Sequence, residues 1–305
     1  MRRQFEHFHM SEDYEVNSLS QKITGRHVIQ QVIQMARAQF KNPERLRALD
    51  IACGPGNLTI ELLHALEESF PNTKIVLAGL DYSEKNVNIL IEASKGAVEG
   101  IVGSFYEFPS AIKNEDIIFS NHGLHWQPPY EMNNVIYSYL DSKERAKYET
   151  WALKNFKKAL VNIYNAMREG AIAVIQFGRE GQIQKLWELV NKIFDEPPFR
   201  EYRNKVNFPV YHPSVANMYS SLDEAGFAKE NIEINVLAED LAEDTSSSIT
   251  KFLRGFTGPG IGQFFDQEKV ELFYHTIEEK LSHSDINEFR KGQLLTTIIK
   301  LKKPG

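Results

Sequence analysis

The chain has 305 residues, of which 42% are hydrophobic, 11% aromatic and 25% charged, with one cysteine and a formal net charge of −6. That composition packs a core and excludes a disordered chain. A lone cysteine excludes an internal disulfide framework and any cysteine-rich zinc module. The acidic balance offers no broad field to nucleic-acid phosphates or anionic membranes. No apolar run approaches the ~20 residues that span a bilayer. The opening MRRQFEHFHM is basic without the apolar stretch of a signal peptide. A soluble, cytoplasmic protein with neither nucleic acid nor membrane as partner is expected.

From about Arg47 to Phe177, short apolar runs alternate with helical periodicity, the pattern of a parallel α/β sheet. LRALDIAC, ending at Cys53, reads as a buried first strand, and Leu58 to Phe70 as the crossover helix. Lys74 to Asp81 is the second strand, and Ser83 caps the helix behind it. Val98 to Val102 and Glu115 to Asn121 are the third and fourth strands. A helix over Lys143 to Met167 leads through Glu169-Gly170 into the fifth, AIAVIQF. Gln182 to Phe194 and Pro213 to Ala225 read as helices and Ile232 to Leu237 as a strand. Residues 239–289 look helical and irregular, broken at the Gly-rich Gly255 to Gly262, and Leu294 to Leu301 closes as a β-branched strand. The expected fold is α/β: a doubly wound, mostly parallel sheet with an α-helical cap over the carboxyl ends of its strands. In domain terms, 1–181 would be the core with an N-terminal covering segment, 182–205 and 239–289 the cap, and 206–238 and 290–305 the remaining core strands.

The turn Asp50-Ile51-Ala52-Cys53-Gly54-Pro55-Gly56 follows a strand and precedes a helix. Small residues there let the backbone approach a ligand, and the helix amides can face a negative group. A dinucleotide fingerprint wants a third glycine three positions after Gly56, but Thr59 stands there. Asp81 ends the second strand, where a carboxylate can accept both hydroxyls of a ribose. A glycine turn and an acid without the third glycine suit an adenosine ligand that lacks a pyrophosphate, such as S-adenosyl-L-methionine (SAM). The bland alternative is a tight turn and an ordinary helix cap. Cys53 reads as a small buried residue without chemistry.

Several segments then resemble one family in order along the chain. They are Tyr14-Glu15-Val16-Asn17-Ser18-Leu19-Ser20-Gln21-Lys22, Gly103-Ser104-Phe105-Tyr106 with Phe108-Pro109, and Ser120-Asn121-His122-Gly123-Leu124-His125-Trp126. Glu169-Gly170 to Gly178-Arg179, and Phe208-Pro209-Val210-Tyr211 with Pro213-Ser214, continue the series. Together they are similar to the SABATH family of carboxyl and N-methyltransferases, known from plants. The resemblance implies a seven-stranded class I methyltransferase (Rossmann-like) sheet, a SAM cofactor leaving as S-adenosyl-L-homocysteine, and a homodimer. It implies a cofactor site of Tyr14, Ser18, Asp50, Ala52, Gly54, Gly56, Asn57, Asp81, Tyr82, Ser104, Phe105 and Ser120. It gives Gln21 and Trp126 as the pair holding a substrate carboxylate, with His122 and His125 lining the pocket. DIACGPGNL departs from the family's Asp-x-Gly-Cys-Ser-Ser-Gly-Pro-Asn, so the motif's asparagine aligns with Leu58 or, slipped by one, Asn57. His122 replaces an aromatic ring. The shorter length suits a divergent microbial relative.

Methyl transfer from a sulfonium to a carboxylate needs no general base, because an acid of pKa ~4 is already ionised at pH 7. Alignment and exclusion of water remain, and an amide with an indole N–H can orient a carboxylate without a lysine's strong stabilisation. Each residue has a bland alternative: Trp126 as a core aromatic beside Pro128-Pro129, Gln21 as a solvated helix residue, and the histidines as packed or exposed side chains. No His, Asp or Glu pair has metal-ligand spacing, and the charged stretch at 142–158 reads as the wet face of a helix. The favoured function is a carboxyl O-methyltransferase acting on a small, partly apolar acid. The alternatives are N-methylation of an amine or heterocycle, methylation of a phenol with His122 or His125 as base, and an inactive SAM-binding protein.

Overall fold

In the computed structural model, residues 19–126, 142–203, 206, 210–262 and 264–305 are described. Helix α1 (Leu19–Gln39) leads into β1 (Arg45–Ile51), α2 (Asn57–Ser69), β2 (Lys74–Asp81), α3 (Glu84–Ala93), β3 (Glu99–Val102) and β4 (Glu115–Asn121). After α4 (Ser142–Ala166) come β5 (Met167–Gly178), α5 (Gln184–Phe194), α6 (Val215–Ala225), β6 (Ile232–Glu239), α7 (Ser246–Ile261), α8 (Gln267–Ser282) and β7 (Leu294–Lys302). These strands form one seven-stranded sheet in the order β3-β2-β1-β4-β5-β7-β6. Neighbours from β3 to β5 run parallel, while β7 is antiparallel to both β5 and β6. The mostly parallel, doubly wound sheet expected from the sequence is therefore present.

The period of two along each strand explains why both faces are covered. Leu46, Ala48, Ile117, Phe119, Ile172 and Val174 pack against Val28, Val32, Leu62 and Leu66 of α1 and α2. Leu49, Ile51, Ile118, Ala173, Ile175 and Phe177 point the other way, onto Phe156, Leu160 and Ile163 of α4 and Met218 and Leu222 of α6. Each fully buried leucine, isoleucine or phenylalanine removes enough apolar surface to contribute about 1.5–3 kcal/mol. A separate cluster joins Leu186, Val190 and Phe194 of α5 with Phe199, Leu253, Phe273, Ile277 and Leu294.

Four differences from the sequence reading have physical causes. The first strand stops at Ile51 because Ala52 takes a φ of 57°, which turns the chain before Cys53. The fifth begins at Met167, ahead of AIAVIQF: Met167 pairs with Glu115, and a bulge follows before Ile172 meets Ile117. Arg168 is ion-paired to Asp116 there, and Asp116 also accepts the Arg47 N–H at 2.7 Å. The Gly-rich stretch does not break the helix, for α7 runs through it to Ile261. Thr257 donates to the Leu253 carbonyl at 2.7 Å and meets the Tyr274 hydroxyl at 2.8 Å, so packing against α8 overrides the poor propensity of glycine. Helix α5 starts at Gln184 rather than Gln182, behind a left-handed Ile183.

Candidate active site

The carboxyl ends of β1, β2 and β4 meet where ligands bind in open α/β sheets. The turn after β1 uses two left-handed glycines, Gly54 (φ 55°) and Gly56 (φ 93°), a region in which a side chain is strained. A β-carbon on Gly54 would meet nothing within 4 Å, so this backbone borders open space. Its N–H donates to Asp81 Oδ2 at 3.0 Å. Oδ1 of Asp81 accepts the Ser83 N–H at 2.9 Å and the Asn86 amide at 3.3 Å. Turn and acid are thus one hydrogen-bonded unit.

Asp50, 2% exposed, accepts the Thr59 hydroxyl at 2.6 Å. Burial pushes its carboxyl up to about 8, opposed by the Thr59 bond and assisted by the nearby charge of Asp81. Ala52 sits half-buried on the turn and Asn57 opens α2 on the exposed side. The Gly103 N–H donates to the Asp81 carbonyl at 2.9 Å, which brings Ser104 and Phe105 beside this edge. Ser104 Oγ accepts the Tyr106 N–H at 3.2 Å, and Phe105 is 8% exposed. Tyr82 keeps 36% of its surface accessible; burial of its hydroxyl and the charge of Asp81 raise its pKa. Ser120 is fully buried and donates to the Ile51 carbonyl at 2.8 Å, fastening the turn from beneath. Burial also raises the Cys53 thiol, and its side chain packs against Gly79.

Beside this edge, α1 docks on β4 through a glycine: a β-carbon at Gly25 would come within 2.4 Å of Leu58 and 3.0 Å of the Asn121 amide. Asn121 Nδ2 donates to the Gln21 carbonyl at 3.4 Å. Thr24 Oγ1 donates to the Ser20 carbonyl at 3.0 Å and lies 3.4 Å from His122 Nε2. Gln21 is therefore held at the carboxyl end of β4, the strand that leads to Trp126. Tyr14 and Ser18 lie outside the described residues.

Past β4, Trp126 is fixed by its backbone. Its N–H donates to Gly123 O at 3.1 Å, its carbonyl accepts the Tyr106 hydroxyl at 2.5 Å, and it bridges to Val210. The indole stays half-buried against the α5–α8 cluster. His125 stands next to it, ring centroids 5.6 Å apart, and touches His122 at 5.8 Å and His212 at 5.5 Å. The Gly178 N–H donates to His125 Nδ1 at 3.3 Å, which puts the ring hydrogen of the neutral imidazole on Nε2. Burial lowers all three histidines, His122 and His212 to about 4 and His125 well below its ordinary value. Repulsion within the cluster adds to the shift at His125, from His212 and His122, and at His212, from His122. Among the described residues, no group of three or more His, Cys, Asp or Glu is arranged to hold a metal ion.

His212 and Thr24 are the residues that sequence reasoning missed. His212 arrives on the turn Val210-Tyr211-His212-Pro213-Ser214, whose Tyr211 N–H donates to the His125 carbonyl at 2.7 Å. That turn is visible as a motif, but its facing partner lies two helices and a strand earlier.

No family model matches the chain. Two curated proteins of Petunia hybrida, S-adenosyl-L-methionine:benzoic acid/salicylic acid carboxyl methyltransferases 2 and 1, are each 26% identical to it over 231 residues. The match covers 67% of this chain and spans only 63% of those relatives' length. Among solved structures, a loganic acid methyltransferase with SAH superposes with a TM-score of 0.72 at 16% identity, covering 95% of each chain. The YcgJ protein of Bacillus subtilis gives 0.51 at 14% identity, covering 92% of this chain and 99% of the other. At those identities the structural likenesses establish the fold alone. The fold is that of class I methyltransferases, and in sequence the chain is similar to the Petunia carboxyl methyltransferases.

Proposed function

We propose that the protein is a SAM-dependent methyltransferase that converts the carboxylate of a small, partly apolar acid to its methyl ester. One observation carries the reading: the hydrogen-bonded pair Gly54–Asp81 and the segment Gln21–Asn121–Trp126 share one end of the sheet. The relatives' named activities, benzoic acid/salicylic acid and loganic acid methylation, agree with it.

The residues present fit the cofactor. Open space above Gly54 admits a ligand against the backbone, and Asp81 borders it with a buried carboxylate. Gly54, Asp81, Ser104 and Phe105 would hold the nucleoside, with Tyr82 over its exposed side. Ala52, Gly56 and Ser120 shape the turn, and Asp50 would face the charged amino-acid end; Tyr14, Ser18 and Asn57 complete the set by resemblance. The chemistry supplied by SAM is an activated methyl on a sulfonium centre, released as S-adenosyl-L-homocysteine after transfer.

This chain's own part is alignment and dryness. The Gln21 amide and the Trp126 indole N–H would orient the acid, and the α5–α8 cluster, read as a cap formed by 182–205 and 239–289, would close water out. The histidines favour a carboxylate over an amine or phenol. Imidazoles whose basicity burial has lowered are poor proton acceptors, and a catalytic base works best with a pKa near the operating pH. A carboxylate has no proton to give up, so the cluster serves as neutral lining and His125 Nε2–H as a further donor.

The test is transfer of labelled methyl from SAM to a panel of small acids, phenols and amines. Label that appears on acids and is released by mild alkali supports the ester; alkali-stable label, or label on amines or phenols alone, overturns it.

A further inference from the structure

Glu243 lies between β6 and α7, 4% exposed, and is spent on a residue more than 200 positions earlier. Its Oε1 accepts the Ser20 backbone N–H at 3.3 Å, and its Oε2 takes the Ser20 hydroxyl in a short hydrogen bond. Ser20, itself 2% exposed, accepts the Ala242 N–H on that same hydroxyl at 3.0 Å. Ser20 is in the first turn of α1, where backbone N–H groups have no intrahelical carbonyl and where a negative charge meets the positive end of the helix. A carboxylate from the far end of the chain thus does what an N-terminal capping side chain usually does.

Both sides of this contact are anchored. The Leu241 N–H donates to Arg290 O at 3.0 Å, Arg290 Nη2 returns to Leu241 O at 3.3 Å, and Asp240 accepts the Gly292 N–H at 2.9 Å. Glu243 is therefore strapped to the lead-in of β7. On the opposite side, Asn121 at the end of β4 donates to the Gln21 carbonyl, and Thr24, which bonds the Ser20 carbonyl within α1, lies against His122. The residue after Ser20 is Gln21, one of the pair assigned above to the substrate carboxylate.

We infer that Glu243 is a positioning residue: it clasps the first turn of α1 to the β6–α7 link and so sets Gln21 in the acceptor pocket. The inference rests on the carboxyl-methylation reading for its functional consequence, but the clasp itself does not. A structural ballast role would tolerate any substitution that keeps the fold. A positioning role makes the loss larger for the acid than for the cofactor, because Gly54 and Asp81 are fastened to each other at the ends of β1 and β2 whereas Gln21 directly follows the clasped Ser20.

The experiment has two arms on Glu243→Ala, Glu243→Gln and Ser20→Ala. In the first, amide hydrogen exchange of the ligand-free protein is expected to speed up at Ser20 and neighbouring α1 amides by about tenfold or more in Glu243→Ala. The Ala242 amide should follow in Ser20→Ala, with β1 and β4 unchanged. Unaltered exchange at Ser20 and Ala242 overturns the clasp whether or not any acid is methylated. In the second arm, the KM for the best acid of the panel is expected to rise about tenfold or more in Glu243→Ala. The Kd for SAM by calorimetry should rise by clearly less than the acid KM does, and Glu243→Gln, which still offers an oxygen to the Ser20 hydroxyl, should recover most of the loss. An unchanged acid KM, or an equal loss in SAM affinity, overturns positioning. Absence of acid methylation by the wild-type protein overturns the functional reading and, with it, the role given to Gln21, while the exchange arm still decides the clasp.

Discussion

The Gly54 N–H points at Asp81 Oδ2 from 3.0 Å, so the turn after β1 takes its shape from the acid that ends β2. Removing that carboxylate strips partners from three donors, Gly54, Ser83 and Asn86. Asp81→Ala is expected to weaken SAM binding by at least about a hundredfold and to cost about 1–3 kcal/mol of stability from the orphaned donors. Asp81→Asn, which retains one acceptor oxygen, should fall between. Calorimetry with SAM and urea unfolding read the two effects separately, and an affinity that survives Asp81→Ala removes this residue from the cofactor site.

Asp50 gives the cofactor step a pH signature. Held at about 8 by burial, it carries a proton at pH 7 in the empty protein. A ligand bearing sulfonium and ammonium charge favours the ionised form. Binding at pH 7 is therefore expected to release close to one proton, and affinity should rise with pH until about 8, then level off. Calorimetry in buffers of different ionisation enthalpy counts the proton. Asp50→Asn should abolish the release, and an equal release from that variant assigns the proton elsewhere.

Much of this arrangement is legible in the sequence because both faces of the sheet are buried. Strands such as Lys74–Asp81 and Glu115–Asn121 each hold an unbroken apolar stretch, Ile75 to Leu80 and Ile117 to Phe119, flanked by charged and polar residues, so they stand out in the pattern. The glycine turn and Asp81 are local features and read equally well. What the pattern does not carry is contact between distant segments. His212 joins His125 only after the chain has passed through α4, β5 and α5, and Glu243 reaches Ser20 from across the whole fold. Helix α7 persists through Gly255 and Pro259 for the same reason: its partners are on α8, outside any local window.

The histidine cluster should make the protein acid-sensitive. Unfolded, each histidine takes a proton near its ordinary ~6.5. In the folded protein, His122 and His212 do so only near 4 and His125 lower still. The unfolded chain thus binds more protons between those values, so the cluster costs nothing above about pH 6.5 and destabilises the fold increasingly as pH falls toward 4. Each histidine adds at most about 1.4 kcal/mol per pH unit in that window. Asp50, with its raised value, contributes the opposite slope, losing stability as pH rises from about 4 to 8. Comparing His212→Leu with the wild type by urea unfolding at pH 7.5 and pH 5 isolates the histidine part. The variant is expected to lose less stability on acidification, by about one proton's worth; an identical pH slope would show that His212 is not held neutral.

Trp126 separates packing from recognition. Its ring leans on the α5–α8 cluster and on His125, while its backbone is tied to Tyr106, Gly123 and Val210. Trp126→Phe keeps an aromatic ring against that cluster and removes the indole N–H together with the fused five-membered ring that carries it. If the indole orients the acid, losing a hydrogen bond to a charged oxygen should lower kcat/KM for the acid about tenfold to a hundredfold. SAM affinity should scarcely move, since Gly54 and Asp81 are untouched, and the unfolding midpoint should fall only modestly, since a ring still fills most of the site. Trp126→Ala should add instability, because it opens a cavity beside α5 and α8. The informative comparison is thus kcat/KM for the acid against SAM Kd in the phenylalanine variant. Full activity there would reduce Trp126 to a packing residue and leave the acid to Gln21 and the histidine donors.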